Sequence, residues 1–243
     1  MPVALITGAS RGFGREVARA LAARGWALVL DARHRVDLDA IAAELADVTW
    51  VADYPGDVAD PAHRAGLAAA AADFGRLDLL VNNASTLGPS PLPALADCPL
   101  DELTRIYQVN VVAPLGLVQS TLPLLRTAGG TIVDVSSDAA VEAYRGWGGY
   151  GSSKAALDVI SAVLAIEEPA VRVYGFDPGD MRTAMHQAAF PGEDITDRPE
   201  PASVVPALLR LIDARPPSGR YRAAELTCGR VSDEPVAVEV GVD

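Results

Sequence analysis

Lysine occurs once in these 243 residues, at Lys154, against nineteen arginines, and asparagine three times, at Asn82, Asn83 and Asn110. Such depletion fits a coding bias toward Ala, Arg and Gly, and marks the few that remain as candidates for positions where no substitute works. Cysteine is almost as scarce. Cys98 and Cys228 make no disulfide framework and have no nearby second ligand for zinc. Positive charge is in deficit: 20 Lys and Arg face 32 Asp and Glu, a net charge of −12 and a pI near 4.6. That balance excludes a binder of nucleic-acid phosphates, which draws on clustered Lys and Arg. No apolar run reaches the ~20 residues that span a bilayer. The opening Met1–Ser10 segment lacks the basic-then-apolar layout of a secretory signal. The expectation is a soluble, cytoplasmic chain without metal.

What is present is a large core. Half of the residues are hydrophobic, too many for a disordered chain. A chain this long buries roughly three quarters of its extended surface. Short runs rich in Val, Ile and Leu at 3–7, 27–32, 48–52, 77–81, 131–136, 171–176 and 221–227 read as strands. Helical patterns at 13–24, 37–46, 61–74, 100–125, 149–167 and 203–213 alternate with them. Most of the strands are apolar on both faces, as in a parallel sheet covered on each side. The alternation predicts right-handed βαβ crossovers and a doubly wound α/β Rossmann fold of about seven parallel strands. Residues 1–243 read as a single dinucleotide-binding domain. The polar, turn-rich segment 184–201 reads as a loop and is expected to be a substrate lid, and 229–243 an acidic C-terminal extension.

Two stretches carry chemistry. Thr7-Gly8-Ala9-Ser10-Arg11-Gly12-Phe13-Gly14 joins the first strand to the first helix. Glycines there permit a tight turn and let backbone approach a pyrophosphate, while the helix N-terminus offers free N–H groups to the anion. Farther on, Tyr150 and Lys154 stand at i and i+4 of a predicted helix, on one face. A neighbouring ammonium favours phenolate and lowers a phenol pKa that would otherwise lie near 10. Ser137, thirteen residues before Tyr150, closes the fifth strand, at the carboxyl edge where open α/β sheets bind ligands.

With these motifs the chain resembles the short-chain dehydrogenase/reductase family, among its carbonyl- and ketoacyl-reductase-like members, whose signature is Thr-Gly-x-x-x-Gly-x-Gly. The resemblance covers residues 3 to about 183. It implies a Ser137–Tyr150–Lys154 catalytic set, Ser137 holding the substrate oxygen and Lys154 also binding ribose. It implies that Asn110 holds a water linking the lysine to solvent. Asn82-Asn83-Ala84-Ser85 is similar to the family's Asn-Asn-Ala-Gly beside the cofactor, and Asp57-Val58 stands where the family meets adenine. Pro178-Gly179-Asp180-Met181-Arg182-Thr183 resembles Pro-Gly-x-x-x-Thr, with the Met181 backbone and the Thr183 hydroxyl meeting the nicotinamide carboxamide. The implied cofactor contacts are therefore Gly8, Ser10, Arg11, Gly12, Phe13, Gly14, Arg33, Asp57, Val58, Asn82, Ala84, Tyr150, Lys154, Pro178, Gly179, Met181 and Thr183.

The family's acidic ribose ligand aligns with Ala32. Arg33 and Arg11 stand where phosphate-preferring members carry basic residues, so NADP(H) is expected, two guanidiniums clamping the 2′-phosphate. Asp31 argues the other way: a slip of one residue would place it on the ribose and make an NAD-dependent alcohol dehydrogenase. A third reading, from another class, is a catalytically retired fold that binds nucleotide as a regulatory module.

Three departures stand out. Ser85 replaces the family glycine, Tyr174 a common asparagine, and the usual C-terminal ending is missing. The resemblance implies a homodimer through 100–125 and 149–167, or a homotetramer. The substrate would be a small carbonyl compound or secondary alcohol. Leu87, Val141, Tyr144, Arg145, Trp147, Met185, His186 and Phe190 are candidates for its pocket, Arg145 for an anionic group on it.

Overall fold

The computed structural model describes residues 1–227; Cys228 and the acidic segment 229–243 lie outside them. Seven strands among the described residues form one parallel sheet: β1 (Val3–Ile6), β2 (Ala27–Ala32), β3 (Val51–Pro55), β4 (Leu79–Asn82), β5 (Thr131–Val135), β6 (Arg172–Asp177) and β7 (Gly219–Arg222). Their order is β3-β2-β1-β4-β5-β6-β7. Every neighbouring pair runs parallel. The helices are α1 (Gly12–Ala23), α2 (Arg35–Ala46), α3 (Pro61–Asp73), α4 (Leu100–Tyr107), α5 (Ala113–Ala128), α6 (Gly148–Glu167), α7 (Ala184–Ala189), α8 (Pro201–Ala214) and α9 (Ala223–Thr227).

Strand side chains alternate between two cores because the pleat has a period of two. Ala4, Ile6, Leu28 and Leu30 pack with Val17 and Leu21 of α1, Leu38 of α2 and Leu208 of α8. Val3, Leu5, Ala27 and Val29 pack on the other face with Leu67 of α3, Leu117 of α5 and Leu164 of α6. Strand order reverses between β1 and β4, which opens a crevice at the carboxyl ends of these strands. The site forms there.

Four sequence expectations need correction. The segment 100–125 is not one regular helix: Gln108–Val112 forms a π-turn, in which the Ala113 N–H reaches the Gln108 carbonyl. The third strand lies later than 48–52. The last strand lies earlier than 221–227, because Ala223-Ala224-Glu225-Leu226 are good helix formers and begin α9 instead. The predicted lid contains α7, whose N-cap Thr183 accepts a hydrogen bond from the His186 N–H at 3.1 Å.

Candidate active site

The glycine loop leaves β1 and turns into α1. Gly8 has a left-handed φ of +65°, which costs a side-chain-bearing residue energy. Gly14 is required for a different reason: a Cβ there would stand 2.4 Å from Asn83 Nδ2 and 2.5 Å from the Gly8 carbonyl oxygen. Asn83 explains that crowding, since its amide donates to the carbonyls of Thr7 at 2.8 Å and Gly8 at 3.1 Å. Helix α1 begins without a side-chain cap and without an acidic residue in its first turn. Its leading N–H groups and the positive end of its dipole are thus left for an anion.

One cleft runs from this loop to Tyr150. Its wall includes Gly8, Ser10, Arg11, Gly12, Phe13, Arg33, Asp57, Val58, Ala84, Ser137, Tyr150, Lys154, Pro178, Gly179, Met181 and Thr183. Three residues expected at the site lie behind that wall. Gly14 packs under the loop, Asn82 donates to Asp134 Oδ1 at 2.7 Å, and Asn110 is fully buried. Of the expected pocket residues, Leu87, Trp147, Met185 and His186 line the cleft. Phe190 packs behind, against Trp147 and His186. Val141, Tyr144 and Arg145 are exposed outside it.

At the cleft's inner end Tyr150 and Lys154 project from α6, as their spacing requires. Burial pushes the Tyr150 phenol above its ordinary range; the Ser137 and Ser85 hydroxyls pull it back, and the Asp138 and Asp177 carboxylates add to the rise. The Lys154 ammonium lies 5.6 Å from the Tyr150 ring centroid and donates to the Val135 carbonyl at 2.7 Å. Burial lowers its pKa to about 8, against the pull of Asp158 and Asp134. The lysine therefore sits beneath the phenol ring, anchored to β5, and the charge of the phenol answers first to burial and to the two serines.

Asn110 spends its whole hydrogen-bonding capacity on protein. Its Nδ2 donates to the Thr86 carbonyl at 2.9 Å and to Ser153 Oγ at 3.0 Å, and its Oδ1 accepts from the Thr86 N–H at 2.9 Å and Ser85 Oγ at 3.1 Å. The π-turn aims this amide between the chain after β4 and α6. Its side chain has no capacity left for a water.

Asn83, read in the sequence only within the Asn-Asn-Ala-Ser motif, ties the glycine loop to β4. Two contributors escaped the sequence reading. Arg220 of β7 donates to the Ser137 carbonyl at 2.9 Å, to Asp177 Oδ2 at 2.9 Å and to Asp158 Oδ2 at 3.0 Å, fixing the serine's backbone. His63 of α3 places Nε2 2.7 Å from Asp31 Oδ1. Asp31, 1% exposed, also lies 3.4 Å from the Gly8 N–H. Burial raises the Asp31 pKa while His63 and Gly8 pull it down. Ala32 belongs to the opposite core. Tyr174, in place of an asparagine, is a core residue whose hydroxyl donates to the Pro216 carbonyl at 2.8 Å. Asp57 is shared between the Ala59 N–H at 2.9 Å and the Arg105 guanidinium. Although burial acts against it, these partners hold its carboxyl below the usual range.

Comparison with known proteins places these features in company. The model of a family described as short chain dehydrogenase matches residues 2–194. Sepiapterin reductase of Rattus norvegicus is 36% identical over 201 residues, 77% of each chain. The oxidoreductase YciK of Escherichia coli K12 is 32% identical over 232 residues, 89% of each chain. Among solved structures, a short chain dehydrogenase of Shigella flexneri complexed with NADP superposes with a TM-score of 0.84 at 31% identity, over 92% of this chain and 97% of the other.

Proposed function

Because this chain belongs to the short-chain dehydrogenase family, we propose that it is an NADP(H)-dependent oxidoreductase that interconverts a carbonyl compound and a secondary alcohol, with Tyr150 as general acid and base. The observation that carries this reading is the convergence of Tyr150, Lys154 and Ser137 at one end of a cleft whose other end is the uncapped N-terminus of α1.

Arg11 and Arg33 both line the cleft, and two guanidiniums suit a 2′-phosphate. Asp31, which argued for NAD, also borders the cleft, and its carboxylate is held by His63 Nε2 at 2.7 Å. The wall residues fit NADP(H): bare N–H groups for a pyrophosphate, arginines for the added phosphate, and Met181 and Thr183 on the same cleft, Thr183 close to Gly12 of the loop. When bound, the nicotinamide supplies the hydride.

The side chains manage the proton. Tyr150 holds a phenolic proton at the cleft's inner end and gives it to the substrate oxygen as that oxygen gains charge. Ser137 Oγ, which donates to Asp138 Oδ1 at 2.9 Å, is the hydroxyl placed to hold the same oxygen. Lys154 keeps a positive charge beneath the ring, which favours the phenolate. Leu87, Trp147 and Met185 present an apolar wall to the rest of the substrate.

Separate titrations with NADPH and NADH, followed by quenching of tryptophan fluorescence, test the cofactor. Preference for NADPH by about tenfold or more, ~1.4 kcal/mol, supports the arginine assignment. Tyr150→Phe is expected to abolish turnover and leave cofactor binding nearly intact. Substantial turnover by that variant would refute the assignment.

A further inference from the structure

Ser85 and Ser137 border the same cleft as Tyr150 and both act on its phenol, and hydrogen-bond bookkeeping distinguishes them. A hydroxyl has one proton to donate. Ser137 sends its proton to the Asp138 carboxylate at 2.9 Å. Ser85 sends its own to Asn110 Oδ1 at 3.1 Å. The Asn110 amide cannot be turned around, because its oxygen accepts from the Thr86 N–H and its nitrogen donates to the Thr86 carbonyl. Ser85 therefore has its proton committed to a fixed acceptor and has none to offer the phenol while Tyr150 keeps its own.

Proton transfer changes that balance. The Tyr150 O–H bond breaks, the proton joins the substrate oxygen, and the phenol is left as phenolate. A phenolate accepts hydrogen bonds roughly twice as strongly as a neutral oxygen. Ser137 gives its one proton either to the Asp138 carboxylate or to the substrate oxygen, and so has none for the phenolate. Ser85 has only to leave a neutral amide oxygen, which keeps its bond from the Thr86 N–H.

We infer that Ser85 is a positioning residue of the reaction, which turns its proton from Asn110 to the Tyr150 oxygen as that oxygen loses its own. No covalent bond of Ser85 breaks; its hydroxyl rotates, and rotates back when the phenolate recovers a proton from solvent. The hydroxyl's pull on the phenol is in the direction this role requires. The inference rests on the proposed Tyr150 chemistry.

The test is the pH profile of alcohol oxidation, which needs the phenolate and so rises with pH. In Ser85→Ala and Ser85→Gly the rising limb is expected to move to higher pH by about one unit. Below the limb kcat should fall about tenfold, with KM little changed. Ser85→Thr keeps a hydroxyl and should keep the wild-type limb. A limb that stays in place in the Ala and Gly variants, or moves equally in the Thr variant, overturns the role. So does a rise in KM with kcat preserved, since Ser85 would then be only a wall of the pocket. Wild-type protein that turns over no carbonyl or alcohol, or Tyr150→Phe that still turns over, removes instead the reading beneath the inference.

Discussion

His63 Nε2 stands 2.7 Å from Asp31 Oδ1, so the carboxylate at the end of β2 is directed to the α3 face and the following Ala32 to the α1 face. Neighbours on a strand point to opposite sides, and this contact decides which side each took. Asp31→Asn is therefore expected to leave the NADPH-to-NADH affinity ratio within about twofold. Arg33→Ala should weaken NADPH about tenfold or more and barely affect NADH, because it removes the guanidinium proposed to meet the 2′-phosphate. Equilibrium titration of both variants checks this. Selective loss of NADH affinity in Asp31→Asn would place the carboxylate on the ribose after all.

Lys154 ties stability to pH. Its folded pKa of about 8 lies below the ordinary lysine value of 10.5, so between these values the unfolded chain binds more protons. Stability then rises with pH across that window, by about 3 kcal/mol at ~1.4 kcal/mol per unit. The comparison is with Lys154→Met, which lacks the group. Urea unfolding at pH 7.5 and pH 10.5 should show the wild type gaining on the variant by that order. A difference that does not change with pH would contradict it.

Asn110→Leu removes four hydrogen bonds at a fully buried position. It leaves the partly buried Thr86 N–H and carbonyl without partners, at about 1–3 kcal/mol for each group that water does not reach. A loss of about 3 kcal/mol or more in urea unfolding is expected, with turnover falling as well because Ser85 loses its anchor. Unchanged stability would mean that the π-turn relaxes without cost.

Gly14→Ala should act on the glycine loop. The new methyl would meet the Gly8 carbonyl and the Asn83 amide well inside contact distance, and both belong to the loop's own support. Weakening of both NADPH and NADH by about tenfold or more is expected, since the pyrophosphate contact is common to them. Calorimetric titration would show it, and preserved affinity would mean that Asn83 can give way.

The readable parts of this chain were those that depend on local pattern. Buried strands announced themselves as Val, Ile and Leu runs, the glycine loop by its place between strand and helix, and Tyr150 with Lys154 by their i,i+4 spacing. The parts that were missed depend on long-range packing. No period in the sequence marks the π-turn at Gln108–Val112, because an i→i+5 bond is a local exception to helical spacing. The contact of His63 with Asp31 joins residues 32 apart across a helix and a strand, and Arg220 reaches Ser137 from 83 residues away. Helix α7 did leave a signal: Thr183 stands just before Ala184-Met185-His186-Gln187-Ala188-Ala189, a capping residue ahead of helix formers.

The solitary lysine also makes this site its own spectroscopic label. Besides the N-terminus, Lys154 is the only primary amine in the sequence, and it is 2% exposed directly beneath the Tyr150 ring. Isotopic labelling of lysine alone would therefore yield a single side-chain resonance, shifted by the ring and sensitive to the charge of the phenol above it. One signal, free of overlap, would follow the proton chemistry of the site through a complete titration.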